Sequence, residues 1–344
     1  MQSEHPMRIL VTGSAGFIGF HLSRLLLSEG HRVIGLDAMT SYYDVRLKYD
    51  RHAMLKESAD FVEVIQRLED NEALQAQCAL HKPEMIVHLA AQAGVRYSLE
   101  NPRSYVDTNL VGTFNVMEAA RLGGVGHLMI ASTSSIYGAN TAMPFVETDR
   151  ADTPLTIYAA TKKATELMTH SYSHLWKIPT TVVRFFTVYG PYGRPDMALF
   201  KFVKAMLADE AIDIYNNGDM QRDFTYVTDL VKAIALLSRA VPAEGQPVAG
   251  DSLSPVAPWR VVNIGAGAPV RLLDFIGEIE TCLGRKARRN YLPMQPGDVP
   301  ATWADASLLR TLTDYCPDTT TAQGVRAFCD WYRGYHGLAV GAGG

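Results

Sequence analysis

The chain has 344 residues, 47% of them hydrophobic, and a formal net charge of -4. This length is sufficient for a large domain plus a smaller one, each with a buried core. The acidic balance and the lack of basic runs argue against a nucleic-acid partner, and no apolar run approaches the ~18 residues of a membrane-spanning helix. We therefore expect neither nucleic acid nor a membrane among the partners.

The four cysteines show no pair at metal-ligand spacing, and no secretory signal precedes them. They are Cys78, Cys282, Cys316 and Cys329. The sequence thus predicts reduced thiols, a cytoplasmic location and no metal site. Flexible termini are expected over residues 1–6 and 339–344.

The first predicted strand, Arg8–Thr12, runs into a glycine-rich turn and then into the apolar periodicity of a helix. Glycines there let the backbone approach a pyrophosphate, whose negative charge is favoured at a helix N-terminus. The turn predicts a dinucleotide site, with a plain tight turn as the alternative. The predicted contacts are Gly13, Gly16, Phe17, Ile18 and Gly19.

A second predicted strand, 32–36, ends at Asp37, eighteen residues after Gly19. An acid at this place accepts from both hydroxyls of an adenosine ribose. Its charge would repel a 2′-phosphate, so the pattern favours NAD over NADP. A helix cap or loop acid is the alternative.

Further apolar runs alternate with helical patterns. The strands predicted after the second are 61–65, 85–90, 127–131, 180–186 and 261–264. Continuous apolar strands that alternate with helices are typical of a parallel sheet. The pattern predicts an α/β fold with a Rossmann-type doubly wound parallel sheet of about seven strands.

Two features stand apart from this alternation. A Pro/Gly-rich insertion over about 241–258 precedes the last strand and is expected to be flexible. Helices near 105–121 and 158–176 carry apolar faces, and we expect a homodimer through them.

Small residues and an arginine follow the fourth strand, where ligands bind in doubly wound sheets. Leu89, Ala90 and Ala91 would let a dinucleotide lie against the chain. Arg96 suits a phosphate or carboxylate, with a solvated surface arginine as the alternative. The hydroxyls of residues 132–135 follow the fifth strand and are either ligand contacts or loop-capping groups.

Tyr158 and Lys162 lie four residues apart on a predicted helix, so both side chains share one face. A nearby positive charge lowers the pKa of a phenol from its free value of about 10. The pair predicts a base that works near neutral pH. The alternative is a Tyr and Lys that share a solvated helix face by coincidence.

Three later loops are rich in turn residues; the first has one embedded arginine, and the other two carry charged groups that a diphosphate and a ribose can use. They lie over 187–197, 217–224 and 295–300. Arg222 is the expected diphosphate contact, and Asp298 is expected near a ribose or, alternatively, is a simple turn acid.

The glycine turn, Asp37, the 132–135 hydroxyls and the Tyr158/Lys162 pair together resemble the extended short-chain dehydrogenase/reductase family. The stretches that resemble its nucleotide-sugar branch are 184–191, 222–227 and 262–265. Those most similar to UDP-glucuronate 4-epimerases are 42–48, 92–98, 193–198, 295–299 and the insertion before residue 261. The resemblance covers roughly residues 7–335.

The resemblance implies roles for individual residues. Tyr158 would be the base, Lys162 would hold the nicotinamide ribose and tune Tyr158, and Thr133 would be the hydroxyl partner. Further implied NAD contacts are Leu68, Leu89, Ala90, Ala91 and Ser132. Implied substrate contacts are Arg96, Thr133, Ser134, Ser135, Arg184, Thr187, Arg194, Tyr215, Arg222 and Asp298. Relatives place an aspartate after the third strand to contact adenine, whereas this chain has Gln66 to Asp70 there without that pattern.

The resemblance also implies a reaction. Related dehydratases carry an Asp-Glu pair after the catalytic hydroxyl and decarboxylases carry a Glu two residues after it, whereas this chain has Ser134 and Ser135. UDP-galactose 4-epimerases have asparagine where Thr187 stands. The implied activity is NAD-dependent C4 epimerisation of UDP-glucuronate to UDP-galacturonate through a 4-keto intermediate. The alternatives are a UDP-glucose/UDP-galactose-type 4-epimerase, a UDP-glucuronate decarboxylase, or a non-enzymatic NAD-binding regulatory protein.

A 4-keto sugar with a carboxylate on C5 is a β-keto acid, so the site must restrain that carboxylate. The candidates for this restraint are Arg184, Thr187, Ser134 and Ser135, followed by Arg96. A structural ion-pair residue beside the sheet is the alternative for Arg184.

Two domains are expected. Residues 7–186 plus 222–265 would form the NAD-binding Rossmann domain, and 187–221 plus 266–335 would form a smaller, discontinuous domain that mainly binds the nucleotide sugar.

Overall fold

The computed structural model describes residues 5–338. The flexible termini expected over 1–6 and 339–344 therefore fall almost entirely outside the described residues.

The strands are short and mostly buried. In chain order they are β1 Arg8–Thr12, β2 Arg32–Asp37, β3 Phe61–Ile65, β4 Met85–His88, β5 His127–Thr133, β6 Thr180–Phe185, β7 Thr187–Tyr189, β8 Ala211–Ile214, β9 Gln221–Tyr226, β10 Trp259–Ile264, β11 Pro269–Arg271, β12 Arg288–Tyr291 and β13 Ala301–Thr302.

The α-helices separate most of these strands. They are α1 Phe17–Ser28, α2 Arg46–Leu55, α3 Asn71–His81, α4 Tyr97–Glu100, α5 Pro102–Tyr105, α6 Thr113–Gly123, α7 Ile157–Trp176, α8 Ala198–Leu207, α9 Val227–Leu237, α10 Leu272–Leu283, α11 Ser307–Thr313 and α12 Thr321–Tyr335.

Seven strands form one parallel sheet in the order β10-β6-β5-β4-β1-β2-β3. The order reverses between β1 and β4, which opens a crevice at the carboxyl ends of the strands. One apolar cluster packs on each face of the sheet. The predicted doubly wound Rossmann-type sheet is confirmed.

Two boundaries differ from expectation in ways that affect the site. β5 continues to Thr133, so Ser132 and Thr133 belong to the strand and not to the loop after it. The helix expected near 105–121 begins at Pro102 and continues through a π-helical segment, Val106–Gly112, into α6.

A smaller sheet is built from β11, β9, β13 and β7, and β8 pairs with β12. β9 pairs within this smaller sheet, although residues 222–226 were expected in the larger domain. α9, which follows at once, packs on α1 of the large domain.

The insertion over 241–258 is hydrogen-bonded to the edge strand β10, contrary to the flexible loop expected. Arg260 donates from Nε and Nη2 to the two carboxylate oxygens of Asp251, at 2.8 and 2.7 Å. The Ser252 hydroxyl accepts from the main-chain N–H of Val261 at 2.9 Å and donates to its carbonyl. The insertion thereby satisfies main-chain groups at this edge of the sheet.

Within residues 5–338, no helix is long and apolar enough to cross a membrane. Over the same range, no cluster of three or more His, Cys, Asp or Glu side chains is arranged to hold a metal ion.

Candidate active site

A cavity of about 1120 Å³ runs along the carboxyl ends of the large sheet and reaches the smaller sheet. Pockets for one small ligand usually measure ~300–1,000 Å³, so this cavity has room for two ligands side by side. Every residue predicted to contact cofactor or substrate lines it, with the exception of Arg184.

The glycine turn lies at the cofactor end of the cavity. Gly13 adopts φ +75°, and a Cβ atom there would lie 2.8 Å from the main-chain nitrogen of Ala90. A Cβ on Gly19 would lie 2.1 Å from the carbonyl oxygen of Gly13. Helix α1 begins directly after this turn, and Gly16 supplies no side-chain cap for its N–H groups. The turn therefore fits the pyrophosphate of a dinucleotide.

Asp37 ends β2 and is fixed by its neighbours. Its carboxylate accepts from the main-chain N–H groups of Met39 at 2.8 Å and Ala15 at 3.2 Å. The Lys48 ammonium lies 3.9 Å from the same carboxylate and donates to the Thr40 hydroxyl at 3.0 Å. Lys48 lines the cavity but was not predicted. Its only sequence signal is its place in the 42–48 stretch that resembles relatives.

The segment after β3, where the sequence lacks the expected adenine-contacting aspartate, also lines the cavity. Asp70 caps helix α3 by accepting from Ala73 N at 3.0 Å, so it serves the helix. Gln66 and Leu68 line the cavity instead. The side-chain nitrogen of Gln66 is buried and has no hydrogen-bond partner among the described residues, so it is available to a ligand.

Helix α7 presents Tyr158 and Lys162 to the cavity. Thr156 caps this helix by accepting from Ala159 N at 3.2 Å, which sets Tyr158 in its first turn. Lys162 is 3% exposed, and Thr133 at the end of β5 interacts with the Tyr158 hydroxyl. The fold thus brings together three residues that are up to 29 positions apart in the chain.

The electrostatics of this pair differ from expectation. Burial raises the pKa of Tyr158 above its ordinary value, while Thr133 and the Arg194 cation act in the opposite direction. Burial also lowers the pKa of Lys162 to about 8, against the opposing effect of Glu166. Without ligands the phenol therefore stays protonated at neutral pH, and the predicted lowering of its pKa by Lys162 is not seen.

Arg184 corrects one expectation outright. It is 2% exposed, and its guanidinium donates to both oxygens of Glu166, at 3.0 and 2.9 Å. Nη1 donates to the Tyr137 hydroxyl and the Glu147 carbonyl, both at 3.0 Å. With its donors occupied behind the cavity wall, Arg184 is the ion-pair residue of the alternative interpretation.

Glu166 was not predicted. It lies one turn after Lys162 on α7, is 1% exposed and also accepts from the Ser132 hydroxyl at 2.6 Å. The Arg184 pair outweighs burial and holds the pKa of Glu166 below its usual range. The buried charge therefore ties α7 to β5 and β6 and keeps Ser132 turned toward α7.

The wall beside Tyr158 carries hydroxyls. Ser134, Ser135 and Thr187 line the cavity with Thr133. The Thr133 hydroxyl donates to Ser135 Oγ at 3.2 Å and accepts from Ser135 N at 3.2 Å. This part of the cavity wall is therefore polar and can form hydrogen bonds with a polar substituent of a ligand.

Cationic groups line the far end of the cavity. Arg96 lies over the ring of Tyr215, 4.2 Å from its centroid, and 3.8 Å from a carboxylate oxygen of Asp298. Arg222 donates to the other Asp298 oxygen at 3.0 Å and to the Val299 carbonyl at 2.7 Å. Asp298 thus lies between two arginines that suit a diphosphate.

Arg194 also lines the cavity, close enough to Tyr158 to affect its pKa. Its Nε donates to Asp196 at 3.0 Å, and Asp196 also accepts from the Tyr42 hydroxyl at 3.1 Å. Neither Tyr42 nor Asp196 was predicted, although both lie in stretches that carry the family resemblance.

This fold and site define a class of protein. The sequence profile of the NAD-dependent epimerase/dehydratase family matches residues 9–250. The chain belongs to that family, which confirms the predicted resemblance.

Two relatives with named activities are similar to this chain over most of its length. The chain is 57% identical over 330 residues to a probable UDP-glucuronate 4-epimerase of Rhizobium meliloti, covering 95% of this chain and 97% of the relative. It is 41% identical over 341 residues to UDP-glucuronate 4-epimerase 2 of Arabidopsis thaliana, covering 98% of this chain and 78% of the relative.

Among solved structures, the UDP-glucuronic acid 4-epimerase of Bacillus cereus in complex with UDP-glucuronic acid and NAD superposes with a TM-score of 0.86. It is 32% identical in sequence, with 96% of this chain and 100% of that chain covered.

Proposed function

We propose that the chain catalyses the C4 epimerisation of UDP-glucuronate to UDP-galacturonate with NAD as a bound cofactor. One observation carries the proposal. Tyr158 and Thr133 line the cavity, and so do Ser134 and Ser135, the two residues after Thr133. These two serines carry hydroxyls at the positions where an acid for elimination or decarboxylation would stand. This wall suits a reaction that returns hydride to the carbon that lost it.

Main-chain groups of the glycine turn would hold the pyrophosphate of the cofactor, and Asp37 would hold its adenosine ribose. When bound, NAD supplies the hydride acceptor and, once reduced, the hydride donor, so no net oxidation occurs. Lys162, which lines the cavity, would contact the nicotinamide ribose.

Tyr158 is the proposed acid and base. As the C4 hydrogen leaves with its electron pair, the phenolate takes the proton of the C4 hydroxyl, and the sugar becomes a 4-keto compound. When hydride returns to the opposite face, the phenol gives its proton back to O4. General base catalysis of this kind contributes ~10²–10⁴ in rate. The cation of Arg194 and the Thr133 hydroxyl oppose the effect of burial and favour the phenolate.

The 4-keto sugar would lose CO₂ if its carboxylate could align the breaking C–C bond with the carbonyl π-system. We assign the restraint of this carboxylate to Ser134, Ser135 and Thr187, which line the same wall as Thr133. Arg184 is withdrawn from this role because its donors are bound to Glu166, Tyr137 and Glu147. The 4-keto sugar must rotate in the site so that its opposite face meets the hydride donor, while the UDP group stays fixed. We assign the binding of the UDP group to Arg96, Tyr215, Arg222 and Asp298.

The direct test is to give purified protein UDP-glucuronate without added NAD and to follow the sugar by proton NMR. We expect UDP-galacturonate to appear. Release of CO₂ as the main outcome would support a decarboxylase, and NAD binding without any turnover would support a regulatory protein. A kcat/KM for UDP-glucose similar to that for UDP-glucuronate would show that no group reads the carboxylate.

We also propose a homodimer through α6 and α7. These neighbouring helices expose large apolar side chains, among them Phe114 on α6 and Leu167 and Leu175 on α7. Leu167→Asp combined with Leu175→Asp should halve the mass measured by light scattering. Leu80→Asp, on the exposed surface of α3, is the control and should leave the mass unchanged. A wild-type monomer would contradict the proposal.

A cytoplasmic location remains a prediction. Cys78, Cys282, Cys316 and Cys329 are free thiols, which suits a reducing compartment.

A further inference from the structure

Arg51 on α2 is a buried arginine without an acidic partner. Its exposed fraction is 0%, and it forms no ion pair within residues 5–338. A buried charge is costly unless hydrogen bonds satisfy it, and every bond that Arg51 makes goes to a neutral oxygen. Such a residue is a poor choice for stability alone.

The bonds of Arg51 join two loops that both contribute residues to the cavity wall. Nη1 donates to the main-chain carbonyl of Ala15, inside the glycine turn, at 2.6 Å. Nη2 donates to the main-chain carbonyl of Tyr192 at 2.6 Å. Tyr192 lies two residues before Arg194, which lines the cavity beside Tyr158. One rigid guanidinium thus bridges the glycine turn of residues 13–19, the cofactor loop, and the loop of residues 187–197, the substrate loop.

One of the two loop segments has an unusual backbone conformation, and the other receives a second contact from α2. Tyr192 adopts φ +56°, in the left-handed region that a non-glycine residue rarely occupies. On the other side, His52, the neighbour of Arg51, bonds through Nε2 to the buried Ser14 hydroxyl at 2.9 Å. Consecutive residues of α2 therefore hold the glycine turn, and the first of them also holds the Tyr192 turn.

We propose that Arg51 is a positioning residue that couples the cofactor loop to the substrate loop, so that NAD and the nucleotide sugar each bind more tightly when the other is present. The inference rests on the proposed function, which supplies the identity of the two ligands. Its physical basis is the fixed fork of the guanidinium, because a shift of one carbonyl changes the geometry offered to the other.

The test compares Arg51→Lys with wild type. Lysine keeps the positive charge but not the planar fork. We expect the Kd of UDP for the NAD-loaded protein, measured by calorimetry, to rise at least about fivefold. We also expect less NAD to remain bound after gel filtration. Arg260→Lys is the matched control, because Arg260 is 3% exposed but lies at the far edge of the sheet, in a pair with Asp251. Arg260→Lys should leave the Kd of UDP and the amount of retained NAD unchanged, even if the melting temperature of this variant is lower.

The outcomes separate the two proposals. If Arg51→Lys keeps wild-type UDP affinity and NAD retention, charge alone suffices and the coupling is overturned. A change in only one of the two readouts overturns it as well. If NAD-loaded wild-type protein does not bind UDP, the proposed function fails, and the coupling fails with it.

A second measurement needs no variant, in case Arg51→Lys does not fold. Hydrogen exchange of the α2 amides is followed in NAD-loaded wild-type protein with and without UDP. The coupling predicts slower exchange over residues 46–55 when UDP is bound. Identical exchange in the two samples would overturn it.

Discussion

The cofactor side of the cavity offers main-chain atoms to a ligand, whereas the substrate side offers long side chains that already have partners. The glycine turn is fixed by close contacts such as that between Gly13 and Ala90. Arg96 and Arg222, by contrast, share Asp298. A preformed main-chain cradle suits a cofactor that stays bound, and exchangeable ion pairs suit a substrate that must leave after each turnover.

The largest effect is expected on NAD binding, from a substitution on the cofactor side. Gly13→Ala would place a methyl group 2.8 Å from Ala90 N at a φ of +75°. The left-handed conformation alone costs an L-residue ~1–2 kcal/mol, and the overlap adds to it, so we expect near-complete loss of co-purifying NAD by absorbance. Gly277→Ala is the control, since nothing lies within 4 Å of its Cβ position. Full NAD content in Gly13→Ala would show that the glycine turn can shift to accommodate the methyl group without losing NAD.

Tyr158→Phe removes the group to which we assign proton transfer. We expect kcat to fall by ~10²–10⁴ while NAD content stays at the wild-type level. Tyr49→Phe, at a 51% exposed position on α2, controls for the loss of a phenol elsewhere. Unchanged turnover in Tyr158→Phe would remove this residue from the mechanism.

Arg184→Met tests whether Arg184 belongs to either ligand side. It leaves the Glu166 carboxylate buried without its partner, and breaking such a pair costs ~3–5 kcal/mol. Urea unfolding should show this loss, while the ratio of epimer to released CO₂ stays unchanged. Greater CO₂ release at intact stability would return Arg184 to the carboxylate.

The buried ammonium of Lys162 predicts a pH dependence. Its pKa in the folded protein, about 8, lies below the ordinary 10.5. The unfolded chain therefore binds more protons between these values, and stability rises with pH across that window. Between pH 7.5 and 9.5 the NAD-free protein should gain ~1–2 kcal/mol from this group. Lys162→Met should show a smaller gain in urea unfolding, and an equal gain in both proteins would refute the assignment.

The smallest effect is expected on the KM for the substrate, from a substitution on the substrate side. Arg222→Lys loses the paired contacts with Asp298 and the Val299 carbonyl. We expect the KM for UDP-glucuronate to rise about tenfold, or ~1.4 kcal/mol, without a change in NAD content. Arg8→Lys, at an exposed ion pair, should have no effect on KM. A parallel loss of NAD in Arg222→Lys would show that the two sides are not separate.

The residues that the sequence predicted for cofactor binding and for the base are those whose signal is local. The glycine turn, Asp37 and the Tyr158/Lys162 pair each have neighbours in the chain that define their setting. Arg184 was misassigned because its partner Glu166 lies 18 positions away and meets it only when α7 packs on β6. Arg51 had no signal at all, since both of its main-chain acceptors are set by tertiary structure.

The insertion that covers β10 has a consequence beyond the site. An uncovered edge strand offers main-chain groups to another chain and invites pairing between molecules. Because Ser252 occupies both main-chain groups of Val261, this edge has no free template at that position. Shortening the insertion should therefore appear first as concentration-dependent aggregation, in protein whose cavity and cofactor content remain intact.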